Sequence, residues 1–266
     1  MIIAARTEST PRTSPYLRSS VLMLFRALHN LRAPAVALVA LMLLPAPRAI
    51  AGSQRVTIRT DDGLSLAATW YEPASRAPAV ILVHMLHKSR RDWDGVATRL
   101  AAEGIGALAL DLRGHGESSG TVPEGEPADY SVLVRDVTAA RHYLSSRADV
   151  QPSRLGIAGA SIGANLAVLV AAADPTIASI ALLSPSIDYR GLRIDAAMKK
   201  YATRPALLIA SDEDAYASRS IKDLQKSGAG TRQALILNHA GHGTVMLARD
   251  PDVAQTLVDW FRRTLL

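Results

Sequence analysis

The chain has 266 residues, no cysteine and a formal net charge of +6. That length suffices for one large α/β domain or two small ones, and the missing thiols exclude a cysteine nucleophile, a disulfide framework and a thiolate metal site. The basic surplus is local: residues 1–51 carry six Arg and one acidic residue, whereas residues 52–266 carry 24 basic and 23 acidic side chains. No nucleic-acid partner is expected of so balanced a body.

Residues 35–44, AVALVALMLL, form a ten-residue apolar run, short for a membrane span and of the right length for a signal h-region. Arg26 and Arg32 precede it. Ala49-Ile50-Ala51 places small residues where signal peptidase reads, which makes Gly52 the expected mature start. Met23 would open a conventional n-region, MLFRALHNLR, so Met1 and Met23 are both candidate starts. The expectation is a signal segment over 1–51 and an exported, periplasmic or secreted bacterial protein. The alternative is an uncleaved N-terminal anchor, the only membrane contact the sequence suggests.

From Gly52 onward the pattern changes. QRVTIRT (54–60) and LSLAATWY (64–71) alternate as two strands joined by an Asp61-Asp62-Gly63 turn. AVILVHM (79–85) is continuously apolar, as a strand covered on both faces is. A helix is predicted over 91–103, ending at Gly104, then a buried strand over 105–112. Val132, Val134, Val137 and Ala140 give a helix over 130–145 its apolar stripe, and the next strand runs over 153–160. A helix from Asn165 to Ala173 follows, then strands over 177–184 and 204–211, a helix over 218–226, a strand over 231–238 and a helix over 253–266. Strands alternating with helices imply one domain over 52–266, with a mostly parallel sheet, an antiparallel N-terminal hairpin and helices on both faces.

In such sheets ligands bind outside the carboxyl ends of the strands. His84 and Met85 end one strand, Asp111 the next, and Ser161, Asp188, Asp212, Asp214, His239 and His242 follow others. Gly159 and Gly163 flank Ser161 in GASIGAN between a strand and a helix, the setting of a nucleophile elbow. A serine hydroxyl needs a base. His242, in a glycine-rich loop, is preferred over His239, which ends the strand or starts the turn. The imidazole needs a carboxylate to fix its tautomer; SDEDAYA offers Asp212, Asp214 and Glu213 between them, and spacing does not separate the two aspartates.

DLRGHGESSG (111–120), GASIGAN (159–165), SDEDAYA (211–217) and HAGHGTVM (239–246) together resemble the α/β-hydrolase superfamily, in particular its small dienelactone-hydrolase-like and serine-aminopeptidase-like members. The resemblance covers about 60–266. It implies an α/β-hydrolase fold with a minimal cap and a triad of Ser161, Asp214 and His242, because Ser211 to Asp214 fits the family's Gly-x-x-Asp pattern at its last position. It also implies an oxyanion hole from the amides of Ile162 and Leu86. Met85 stands where the family has glycine, and Met85 and His115 are candidate substrate contacts.

No cofactor is expected, since no glycine-rich phosphate loop occurs, and no metal, because nothing fixes a ligand spacing for His84, His87 and Asp111. Lys88, Arg90 and Arg91 are expected to be solvated, and Arg113 to His115 to form a turn near the mouth. The 19 residues 185–203 allow one short helix and a loop as cap, with Asp188 the reserve acid. The reading is a serine hydrolase cleaving a small carboxylic ester, short in its acyl part, through an acyl-enzyme. Its rivals are an amide or peptide hydrolase of the serine aminopeptidase type and an inactive binding protein on the same fold. A dienelactone hydrolase proper uses the cysteine this chain lacks. Oligomeric state is left open.

Overall fold

The computed structural model describes residues 52–123 and 129–266. The expectations about residues 1–51 lie outside them. Among the described residues no helix is long and apolar enough to cross a membrane.

The leading hairpin pairs β1 (Ser53–Arg59) with β2 (Ser65–Tyr71) antiparallel, and β2 continues antiparallel onto β4 (Gly106–Leu110). Beyond that point the sheet is parallel. β3 (Ala77–Val83) lies between β4 and β5 (Val150–Ala160), followed by β6 (Ile177–Leu183), β9 (Ala206–Ser211) and β10 (Arg232–Leu237), giving the order β1-β2-β4-β3-β5-β6-β9-β10. Every residue of β3, β4 and β9 is buried, which is why these strands are unbroken apolar runs rather than alternating ones.

Each sheet face has its own core. One holds Leu133 and Val137 of α2 (Leu133–Ser146), Leu166 and Val170 of α3 (Ile162–Ala173), Met198 of α4 (Asp195–Lys200) and Ile221 of α5 (Ala215–Gln225). The other holds Val96 and Leu100 of α1 (Asp94–Ala102), Met246 of α6 (Val245–Arg249) and Leu257, Trp260 and Phe261 of α7 (Pro251–Leu265). Gly156 lets α7 close on the sheet: a Cβ there would stand 2.7 Å from the Phe261 ring.

Several elements depart from expectation, three of them beside the site. The helix expected at 91–103 begins as a 3₁₀ turn over Arg90–Trp93. The helix after the serine starts at Ile162 instead of Asn165, because Ser161 O already accepts the amides of Ala164 and Asn165. Residues 185–203 form a two-stranded hairpin, β7 (Asp188–Tyr189) with β8 (Leu192–Arg193), before the short α4, so the expected loop is itself ordered.

Candidate active site

Ser161 sits between the last residue of β5 and the first of α3, at φ +52 and ψ −118. A side chain seldom holds such a backbone, and strain of this kind is stored where the surrounding structure over-determines it. Two glycines make the bend passable. A Cβ on Gly159 would lie 2.1 Å from Gly163 O, and one on Gly163 2.5 Å from Val83 O. The Ser161 amide is anchored to Leu183 O at 2.8 Å, and only 6% of the residue is exposed.

His242 reaches back over the sheet edge from the loop after β10. Its Nε2 stands 2.8 Å from Ser161 Oγ and its Nδ1 2.6 Å from Asp214 Oδ2. Asp214 caps α5, its Oδ1 accepting the Ala217 amide at 3.2 Å. Burial pushes the Asp214 carboxyl up, but the His242 hydrogen bond, the nearby Ser184 hydroxyl and the Ala217 amide outweigh it and hold the group below the usual carboxylate range. An ionised Asp214 accepts a proton-bearing Nδ1, leaving Nε2 as the atom that faces the serine hydroxyl.

The other candidates are placed elsewhere. Asp212 Oδ1 accepts the His239 amide at 2.8 Å, and His239 points to Glu213 at 3.5 Å. The Asp188 carboxylate accepts the Gly191 amide within the cap hairpin. The structure thus brings Ser161, Asp214 and His242 together and leaves His239, Asp212 and Asp188 out of that chain of hydrogen bonds.

Around the serine, Ile162 is the first residue of α3, so its amide is one of the donors a helix leaves unpaired. The next residue, Gly163, packs closely on Val83 and His84 at the end of β3. His84 is fully buried. The Leu112 amide donates to its Nε2 at 3.0 Å, so the proton is on Nδ1, which donates to Met85 O at 2.7 Å. Since C=O and N–H of a trans peptide point opposite ways, this bond turns the Leu86 amide away from the His84 ring. Burial pulls His84 down to about 4, keeping it neutral near pH 7. Met85 packs on the histidine loop, where a Cβ at Gly243 would stand 2.6 Å from its Sδ. His115 is buried against His84, ring centroids 4.9 Å apart, with its Nδ1 donating to Arg113 O.

The expectation that Arg90 is solvated is overturned. Its guanidinium is buried against Asp111, which also accepts the amides of Arg90 and Glu117, while Glu117 takes the other side of the guanidinium at 3.0 Å. Arg91 is exposed. The Arg113 turn is likewise tied down, by Asp136 and Asp62. Burying these guanidiniums is tolerable because each meets carboxylates directly. Among the described residues no group of three or more His, Asp or Glu is arranged to hold a metal.

Sequence reading missed two residues here. Asn165 is fully buried and gives its whole amide to the cap: Nδ2 donates to Ser186 O and Leu192 O, and Oδ1 accepts the Ser186 amide. Ser184, fully buried at φ +49, accepts the Gly243 amide on Oγ at 3.0 Å. Asn165 was within reach of sequence, as the last residue of GASIGAN; Ser184 had only its place at a strand end.

A mostly parallel sheet whose strand-to-helix elbow presents a serine, with a histidine and an aspartate from later strand ends, defines an α/β-hydrolase. The chain belongs to the family of serine aminopeptidases (S33), whose model matches residues 74–226, and it is an enzyme of the hydrolase class. An uncharacterised protein of Mycobacterium tuberculosis strain H37Rv is 27% identical over 232 residues, 79% of this chain and 78% of the relative. The quorum-quenching protein AidA of Acinetobacter baumannii is 28% identical over 192 residues, 70% of this chain and 58% of that protein. In fold, dienelactone hydrolase from Anabaena variabilis matches with a TM-score of 0.67 at 22% identity, over 82% of this chain and 100% of that one. Esterase Pf2001 from Pyrococcus furiosus matches with 0.65 at 19% identity, over 81% and 94%.

Proposed function

We propose that this protein is a serine esterase that cleaves a small carboxylic ester with a short acyl group through an acyl-enzyme. The observation that carries the reading is the continuous relay from Asp214 through His242 to Ser161, at 2.6 and 2.8 Å. Ser161 Oγ attacks the ester carbonyl carbon while His242 Nε2 takes its proton, and Asp214 stabilises the imidazolium. Charge gathers on the carbonyl oxygen, where the amides of Ile162 and Leu86 donate. Collapse of the tetrahedral species breaks the ester C–O bond, and His242 returns its proton to the departing alkoxide. Water then repeats the sequence: His242 takes its proton, the hydroxide adds to the acyl carbon, and the acid leaves as Ser161 recovers its proton.

Membership of a serine aminopeptidase family favours a second reading, hydrolysis of an amide by the same steps with an amine leaving. A fluorophosphonate probe tests the shared chemistry. Folded wild-type protein is expected to label on Ser161 and Ser161→Ala not to label; an unlabelled wild type would overturn both readings. Chromogenic esters of graded chain length, run beside aminoacyl anilides, separate the two.

A further inference from the structure

We propose that Ser184 is a positioning residue for the catalytic histidine, its buried hydroxyl anchoring the root of the His242 loop to the end of β6. The inference rests on the triad reading above and deepens it.

Ser184 follows the last residue of β6 at the carboxyl edge of the sheet and is fully buried. Two consecutive residues here join the site to the sheet: Leu183 O accepts the Ser161 amide, and the Ser184 amide donates to Ile209 O on β9, both at 2.8 Å. The Ser184 Oγ accepts the amide of Gly243, the residue directly after His242. A hydroxyl has one proton and two lone pairs. With one lone pair given to Gly243, the proton remains free to be donated, and this hydroxyl helps to hold the Asp214 carboxyl below the usual carboxylate range. The histidine loop is thus held from an element that carries neither Asp214 nor His242.

The backbone supplies a second argument. Ser184 sits at φ +49, in the left-handed region where glycine carries no steric penalty and other residues do. Glycine would relieve the backbone, and the side chain is nonetheless present. Without the hydroxyl the buried Gly243 amide loses its acceptor. A histidine loop no longer held at its root places Nε2 less often at the distance proton transfer requires.

The test compares Ser184→Ala and Ser184→Gly with wild type, reading kcat and KM on a short chromogenic ester, the second-order rate of fluorophosphonate labelling and Tm. Ser184→Ala is expected to lower kcat and the labelling rate together by about 10- to 100-fold, with KM within about threefold. Ser184→Gly, which relieves the backbone and also lacks the hydroxyl, is expected to lose as much kcat while keeping a higher Tm than the alanine variant. Wild-type kcat in either variant, or loss of Tm alone, would overturn the inference. Ser161→Ala and His242→Ala are run in parallel. If those two are inert while Ser184→Ala is fully active, this inference fails alone; if Ser161→Ala turns over normally, the triad reading fails and takes the inference with it.

Discussion

The Asp212 carboxylate accepts the backbone N–H of His239 at 2.8 Å. Two residues later, Asp214 meets the imidazole of His242 instead. The first bond ties one loop to another; the second reaches the imidazole whose Nε2 faces Ser161 Oγ. Asp214→Ala is therefore expected to cut kcat/KM by at least about a thousandfold, and Asp212→Ala by less than about tenfold, with the fold retained in both. Steady-state kinetics on a short ester decides it, and a larger loss at Asp212 would reassign the acid.

Arg90 and Asp111 are buried together, with 4% and 0% of their side chains exposed. Removing one member leaves the other charge without its partner, which costs about 3–5 kcal/mol. Arg90→Ala should therefore lower the urea midpoint strongly. Arg91→Ala, at an exposed neighbouring position, should change the unfolding free energy by less than about 0.5 kcal/mol and leave the midpoint nearly unmoved. Equal shifts would mean that Arg90 is not held as described.

His84 predicts a pH dependence of stability. Burial lowers it from 6.5 to about 4, so within that window the unfolded chain binds a proton that the folded ring refuses. Stability then falls as pH drops from about 6.5 and this contribution levels off below about 4. His84→Gln keeps an acceptor for Leu112 and a donor for Met85 but does not titrate. Its Tm should fall less steeply than wild type between pH 6.5 and 4, and parallel curves would contradict the prediction.

Under the proposed esterase reading the cap is expected to limit acyl length. Its hairpin and six-residue helix, pinned by Asn165, leave little apolar wall for a long chain, whose burial would contribute about 0.8 kcal/mol per methylene. Values of kcat/KM for acetate and butyrate esters should exceed those for octanoate and palmitate. A steady rise through palmitate would mean that residues 185–203 form a hydrophobic channel. Asn165→Ala should alter this preference more than it alters the rate of fluorophosphonate labelling.

Export, read from residues 1–51, is expected to leave Gly52 at the N-terminus of material recovered outside the cytoplasm. Intact mass measures this directly. A mass that retains residues 33–51 would support the anchored form.

The sheet was legible in the sequence because its parallel strands are buried on both faces and become runs such as AVILV, with helices of a different period between them. The elbow was legible for the same kind of reason, a steric demand for Gly159 and Gly163 that few other arrangements impose. The acid was not, since alternation stops where the strand does, and residue spacing left Asp212 and Asp214 equal until the family pattern chose. Arg90 was misread because a run of four basic residues in HKSRR looks solvated; its partner Asp111 lies 21 positions on. Ser184 could not be found at all from local pattern, its bond to Gly243 spanning 59 positions. The five-residue α6 is shorter than any window in which a helical period shows.

Chain order also schedules competence. Ser161 is reached early, in β5 and α3, but its base arrives only with the segment after β10, and α7 then seals the back of β5 through Phe261 against Gly156. On the proposed mechanism a growing chain therefore carries an elbow serine with no imidazole to deprotonate it. The nucleophile stays chemically silent until the carboxyl-terminal strand and helix have docked, so turnover reports the completion of folding rather than its beginning.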